Sequence, residues 1–130
     1  MSIKNVLAAT AVGTASLLTA VQAVLPVLRK QHTGTILATG SAAADHPTVS
    51  AASLGVQKAA LRNLIQALAG ELTSEGIHVA TLTVRGRIAE GTPFSPDAIA
   101  EVFAGLVAET ATDPAGWHTL LDLTAEGLQQ

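Results

Sequence analysis

The residues best suited to chemistry fall within ten positions of one another, in the polar stretch Ser41 to Ser50 that follows an apolar run. Ser41, Asp45, His46 and Ser50 supply hydroxyls, a carboxylate and an imidazole, the parts of an activated nucleophile in which a base takes the hydroxyl proton and an acid orients the base. No Gly-x-Ser-x-Gly elbow supports a hydrolytic Ser41/His46 pair. The same residues are also ordinary turn formers, and Asp45-His46-Pro47 reads as a turn into a helix N-cap at Thr48 or Ser50. Lys58 lies one helical turn after Leu54, and its plain reading is a solvated or salt-bridged helix lysine. Arg85 and Arg87 flank a glycine in a short loop, where solvated arginines are the rule and a phosphate or carboxylate is the alternative partner. His32, His46, His78 and His118 have no metal-ligand spacing and the chain has no cysteine, so no metal site is expected.

Positioning these groups requires a βαβ unit over Gly34 to Val84. Thr35 to Thr39 is short and mostly apolar, Ile77 to Val84 is rich in β-branched residues, and both suit strands covered on both faces. Between them Leu54, Leu61, Leu64, Ile65, Leu68 and Leu72 recur at helical spacing, which predicts a helix over Ala51 to Leu72. Gly76 suits a left-handed residue closing that helix. Upstream, Ser2 to Gln31 is expected to be mainly helix, with Leu17, Leu18, Val21, Val24, Leu25 and Leu28 as its packed stripe, Gly13 as a weak point and Pro26 bending or shortening the last turns. Downstream, Ser95, Pro96 and Asp97 form a helix start, and Ile99, Val102, Phe103, Leu106 and Val107 supply that helix's buried face over residues 95–109. A last strand is expected over Trp117 to Leu123, followed by a frayed tail from Thr124 to Gln130. The fold class is α/β: a three-layer sandwich on a short parallel sheet, in a single domain of residues 1–130.

Composition narrows the function. The chain is 48% apolar and 13% charged, which indicates a core of small and aliphatic side chains rather than disorder. Its net charge of -3 and lack of a Lys/Arg cluster leave no footprint for nucleic acid. Met1 to Ala23 imitates a signal peptide, and Val6 to Leu28 has the length of a membrane span. Thr, Ser, Gly, Gln22 and Pro26 dilute that run, so no membrane span is expected, and with no cysteine to form a disulfide framework a cytoplasmic location is the default.

Gly34-Thr-Ile-Leu-Ala-Thr-Gly-Ser41, Gln57-Lys-Ala-Ala-Leu-Arg62 and Gly76-Ile-His-Val-Ala-Thr-Leu-Thr-Val84 together resemble the C-terminal half of a short-chain dehydrogenase/reductase, over roughly Leu17 to Leu123. The resemblance implies half of a Rossmann-like, doubly wound, NAD(P)-binding fold. It also implies a catalytic Ser after one strand and a Tyr-x-x-x-Lys on the next helix. Ser41 and Lys58 fall on two of those positions, the Lys being the one that binds cofactor ribose, while the Tyr position is Leu54 and the chain has no tyrosine. An Asn of the family's proton relay aligns near Gly13, and Arg85 to Ile88 replaces a Pro-Gly loop at the nicotinamide. In the family the dinucleotide is held mainly by the first half, through a Gly-rich turn that nothing before Gly34 resembles.

The resemblance therefore implies no NAD(P) bound by this chain alone, with NAD or NADP held only if a partner half completes the site. The expected function is a half-length, dehydrogenase-like assembly or binding module without redox activity of its own. Alternatives are a subunit or fragment of an oxidoreductase completed elsewhere, or a non-redox enzyme reusing the Ser41 to Ser50 loop. By the same resemblance, the helices over residues 17–28 and 51–72 pack against a second subunit, implying a homodimer or homo-oligomer.

Overall fold

A computed structural model describes residues 1–130. The chain starts with a helix capped by Ser2, whose hydroxyl accepts from the Asn5 N–H at 3.1 Å. Helix α1 (Ile3–Thr10) passes through a π turn, Ala11–Ala15, into α2 (Ser16–Gln31). Pro26 does not shorten α2, which runs on to Gln31 and ends at His32 with φ 58°. Of the expected stripe, Val21 is buried and Leu17, Leu25 and Leu28 pack beside it, but Leu18 and Val24 are exposed. At 100° per residue these two lie about 60° to either side of Val21, outside the strip that one underlying layer covers.

The sheet has strand order β1-β2-β3-β4. Strand β1 (Gly34–Ser41) pairs in parallel with β2 (Ile77–Val84) from Gly34 opposite Ile77 to Ser41 opposite Val84. The third strand, β3 (Leu120–Thr124), lies parallel on the other side of β2. It begins later than expected, because Pro114–Gly116 forms a 3-10 turn and Trp117 turns aside to stack on His78 with ring centroids 4.8 Å apart. Nor is the tail frayed: Gly127–Gln129 forms β4, antiparallel to β3. Its turn is closed by the Thr124 hydroxyl, which donates to the Gly127 carbonyl and accepts from the Glu126 N–H, and by Gly127 at φ 119°. The expected short parallel sheet thus ends in an antiparallel edge that satisfies the outer side of β3.

The sheet separates two helical layers. On one face α2 and α3 (Ala52–Leu72) pack Val21, Ile65, Leu68 and Leu72 against Ile36, Ile77 and Val79. On the other, Ile99 and Leu106 of α4 (Pro96–Glu109) meet Ala80, Leu82, Val84, Leu121 and Leu123. Strand β2 is buried along its whole length, as a parallel strand between two helical layers must be. Two expected core residues lie outside: Val107 is 52% exposed on the outer side of α4, and Leu54 is 38% exposed. The first turn of α3 lies over the loop after β1 rather than over the sheet, with a Cβ at Gly55 falling 2.9 Å from the Ala43 carbonyl oxygen. Thr48 and Ser50 make no side-chain cap for α3. Ser95 does cap α4, accepting from the Ala98 N–H at 3.1 Å.

Ile3–Gln31 is long and apolar enough to cross a membrane: its most apolar window has a mean hydropathy of 1.8 and is only 11% buried. Much of this helix therefore presents apolar surface outward.

Candidate functional site

Ser41 is the last residue of β1, and its Oγ accepts from the Ala43 N–H at 3.1 Å, capping the 3-10 turn Ala42–Ala44. Lys58 reaches the same strand end from α3, its Nζ donating to the Thr39 carbonyl at 2.8 Å. Burial lowers the Lys58 pKa below the ordinary lysine value, since desolvation disfavours the ammonium. Leu54 stands one turn before it, partly exposed. The structure thus brings Lys58 to the end of the strand that carries Ser41.

Ser41 and His46 form no hydrogen-bonded pair. The His46 backbone N–H donates to the Ala42 carbonyl at 3.0 Å, and the Ser41 hydroxyl serves the turn. His46 and Ser50 are exposed.

Asp45 is instead the hub of an ion network. Arg62 of α3 donates to both its oxygens, Nη1 to Oδ1 at 2.5 Å and Nη2 to Oδ2 at 3.0 Å, and also to the Thr83 hydroxyl at 3.2 Å. Arg85, directly after β2, bonds Asp45 Oδ2 through Nη2 and Asp122 Oδ2 through Nε, each at 2.9 Å. The hydrogen bond from Arg62, then that from Arg85, pulls the Asp45 carboxyl down to about 2. Its hydrogen bond to Asp122, with a smaller one to Asp45, pushes the Arg85 guanidinium up. The anion that the sequence allowed for Arg85 is therefore a pair of the chain's own carboxylates, while Arg87 remains exposed.

A feature missed from sequence lies across α3. Gly13 falls inside the π turn, where a Cβ would collide with the Gln57 side-chain amide, and the adjacent Thr14 hydroxyl donates to the Gln57 carbonyl at 2.9 Å. The extra residue of a π turn breaks regular helical spacing, and such turns recur at functional sites. Gly13 was its only visible signal. The Gln57 amide fills the room that a larger residue at position 13 would need.

The family profile described as short chain dehydrogenase matches residues 1–88. The chain belongs to that family. Among solved structures it is similar to a short-chain dehydrogenase from Rhodopseudomonas palustris, with TM-score 0.76 and 18% identity over 95% of this chain and 53% of that one. It is also similar to a metagenomic short-chain oxidoreductase in complex with NADP, with TM-score 0.71 and 22% identity over 92% of this chain and 51% of that one. A structure titled a dehalogenation enzyme has TM-score 0.64 and 26% identity over 92% of this chain and 48% of that one. No curated protein matches the sequence. This dehydrogenase-family chain spans about half the length of the structures it matches.

As arranged here, this end of the sheet has no proton donor at position 54, and both Lys58 and Arg85 are engaged with oxygens of the chain itself.

Proposed function

We propose that this chain performs no hydride transfer by itself and works as an assembly or binding module built from half of a short-chain dehydrogenase fold. The observation that carries the reading is Leu54, partly exposed at the proton-donor position and one turn from a Lys58 engaged with Thr39. General acid catalysis needs a group that holds a proton, and leucine has none. The outward faces of the helices support assembly: Leu18, Val24 and Val27 of α2 and Leu54 and Val56 of α3 are large apolar side chains left exposed, with Ala59 and Ala67 small enough for close approach. Covering such a surface favours a homodimer through residues 17–28 and 51–72.

A second reading is favoured by β1, which pairs only with β2 and leaves an unpaired edge. In that reading a separate half completes the sheet there and supplies the NAD(P) site.

The deciding experiment is NADPH fluorescence and turnover with the purified chain, alone and with Leu54→Tyr. Neither protein is expected to shift the fluorescence or consume NADPH with carbonyl substrates. Turnover by the unmodified chain that disappears in Lys58→Ala would overturn the proposal.

A further inference from the structure

We infer that the cleft between α4 and the β3–β4 hairpin is a binding site for a small aliphatic ammonium ion. The cleft encloses about 530 Å³ on the face of the sheet opposite α3, a volume within the range of small-molecule sites. Its floor is apolar and buried: Leu106 of α4 and Leu121 and Leu123 of β3 are 1%, 5% and 6% exposed. Leu128 of β4, half exposed, forms a rim.

Gly105 lines the cleft from the middle of α4, and a Cβ there would meet nothing within 4 Å. A glycine inside a helix costs about 1 kcal/mol relative to alanine. Neither a positive φ nor a close neighbour calls for it. What its missing side chain provides is room over Leu106.

The polar groups of the cleft select the charge. Glu109 Oε1 accepts from His118 twice, from the backbone N–H at 2.5 Å and from Nδ1 at 2.8 Å. A carboxylate on Nδ1 holds the proton there and leaves a lone pair on Nε2. Nε2 has no partner in the protein and is not among buried unsatisfied atoms, so it is open to solvent from a residue that lines the cleft. Glu101 lines the other end, eight residues or about 12 Å along α4. Beside the Gln130 amide, which can donate or accept, the lining holds two carboxylates and an accepting imidazole but neither lysine nor arginine. An ammonium, with three donors and no acceptor, complements those groups, and an alkyl chain complements the leucine floor.

The test uses hexylammonium on the full chain in mildly alkaline buffer, followed by methyl and imidazole NMR. Saturable shifts are expected at Leu121, Leu123 and Leu128 and at His118 Nε2. Hexanoate, of matching length and opposite charge, is expected to leave them unmoved. Gly105→Leu fills the cleft at a helix position that favours leucine, and is expected to keep the native spectrum while weakening hexylammonium at least about tenfold. Glu109→Gln is expected to weaken it severalfold. The inference is overturned by equal shifts with hexanoate, by hexylammonium shifts that persist in Gly105→Leu, or by no saturable shift. It is also overturned by an oligomer that Gly105→Leu dissociates, which would assign the cleft to a second copy of the chain.

Discussion

Arg62 and Asp45 form a two-pronged pair, Nη1 to Oδ1 at 2.5 Å and Nη2 to Oδ2 at 3.0 Å, which ties α3 to the loop after β1. Lowering the Asp45 carboxyl from its ordinary 3.8 to about 2 makes its charged form a stabiliser of the fold. The contribution is complete above the unfolded value, near pH 4, and is lost as pH falls through about 2. Full linkage amounts to roughly 2 kcal/mol, which solvent screening at a carboxylate about one-third exposed reduces to about 1 kcal/mol. Asp45→Asn is expected to lower stability by about that amount at neutral pH and to flatten this part of the acid limb, as urea midpoints at several pH values would show.

Leu61 is 5% exposed and therefore belongs to the interior of the subunit. Leu61→Glu is expected to unfold the chain rather than separate folded subunits, because a carboxyl group there must stay protonated without water to bond it, ionise without a partner, or pull the helix outward, and each costs stability. Circular dichroism should show loss of the cooperative thermal transition. A folded, dissociated Leu61→Glu protein would contradict this.

Two glycines of α3 should respond in opposite directions. Gly70 has open space around a would-be Cβ, so Gly70→Ala is expected to stabilise by about 0.5 to 1 kcal/mol through helix propensity. Gly55 faces the Ala43 carbonyl oxygen, 2.9 Å from an ideal Cβ, and backbone cannot swing aside as a side chain can. Gly55→Ala should therefore cost about 1 to 2 kcal/mol. Paired denaturant curves give both signs.

The proposed dimer predicts a particle of twice the 13.1 kDa chain mass by light scattering at micromolar concentration. Val24→Glu, on the exposed side of α2, should shift it toward monomer without loss of helix content. A well-behaved monomer would count against the assembly reading. Recovery of the unmodified chain only with membranes would instead assign the apolar face of Ile3–Gln31 to lipid.

Local features were legible without a structure. The second strand occupies Ile77–Val84 as its β-branched run indicates, α3 follows its leucine spacing from Ala52 to Leu72, and Ser95-Pro96-Asp97 begins α4 as its capping chemistry requires. These signals act between near neighbours, through a cap or a repeat of three to four residues. The absence of a phenol is likewise a property of sequence alone, since no fold can place a tyrosine that the chain does not contain. Tertiary structure decided which charges meet. Asp45 finds Arg62 and Arg85 at separations of 17 and 40 residues, and Arg85 finds Asp122 at 37, because the loop after β1, helix α3 and the ends of β2 and β3 converge on one end of the sheet. It also decided that His78 is buried, bonded to the carbonyl of His118 and stacked on Trp117. The last strand gains β4 for the same reason: the open side of β3 is a demand created only once the parallel sheet has formed.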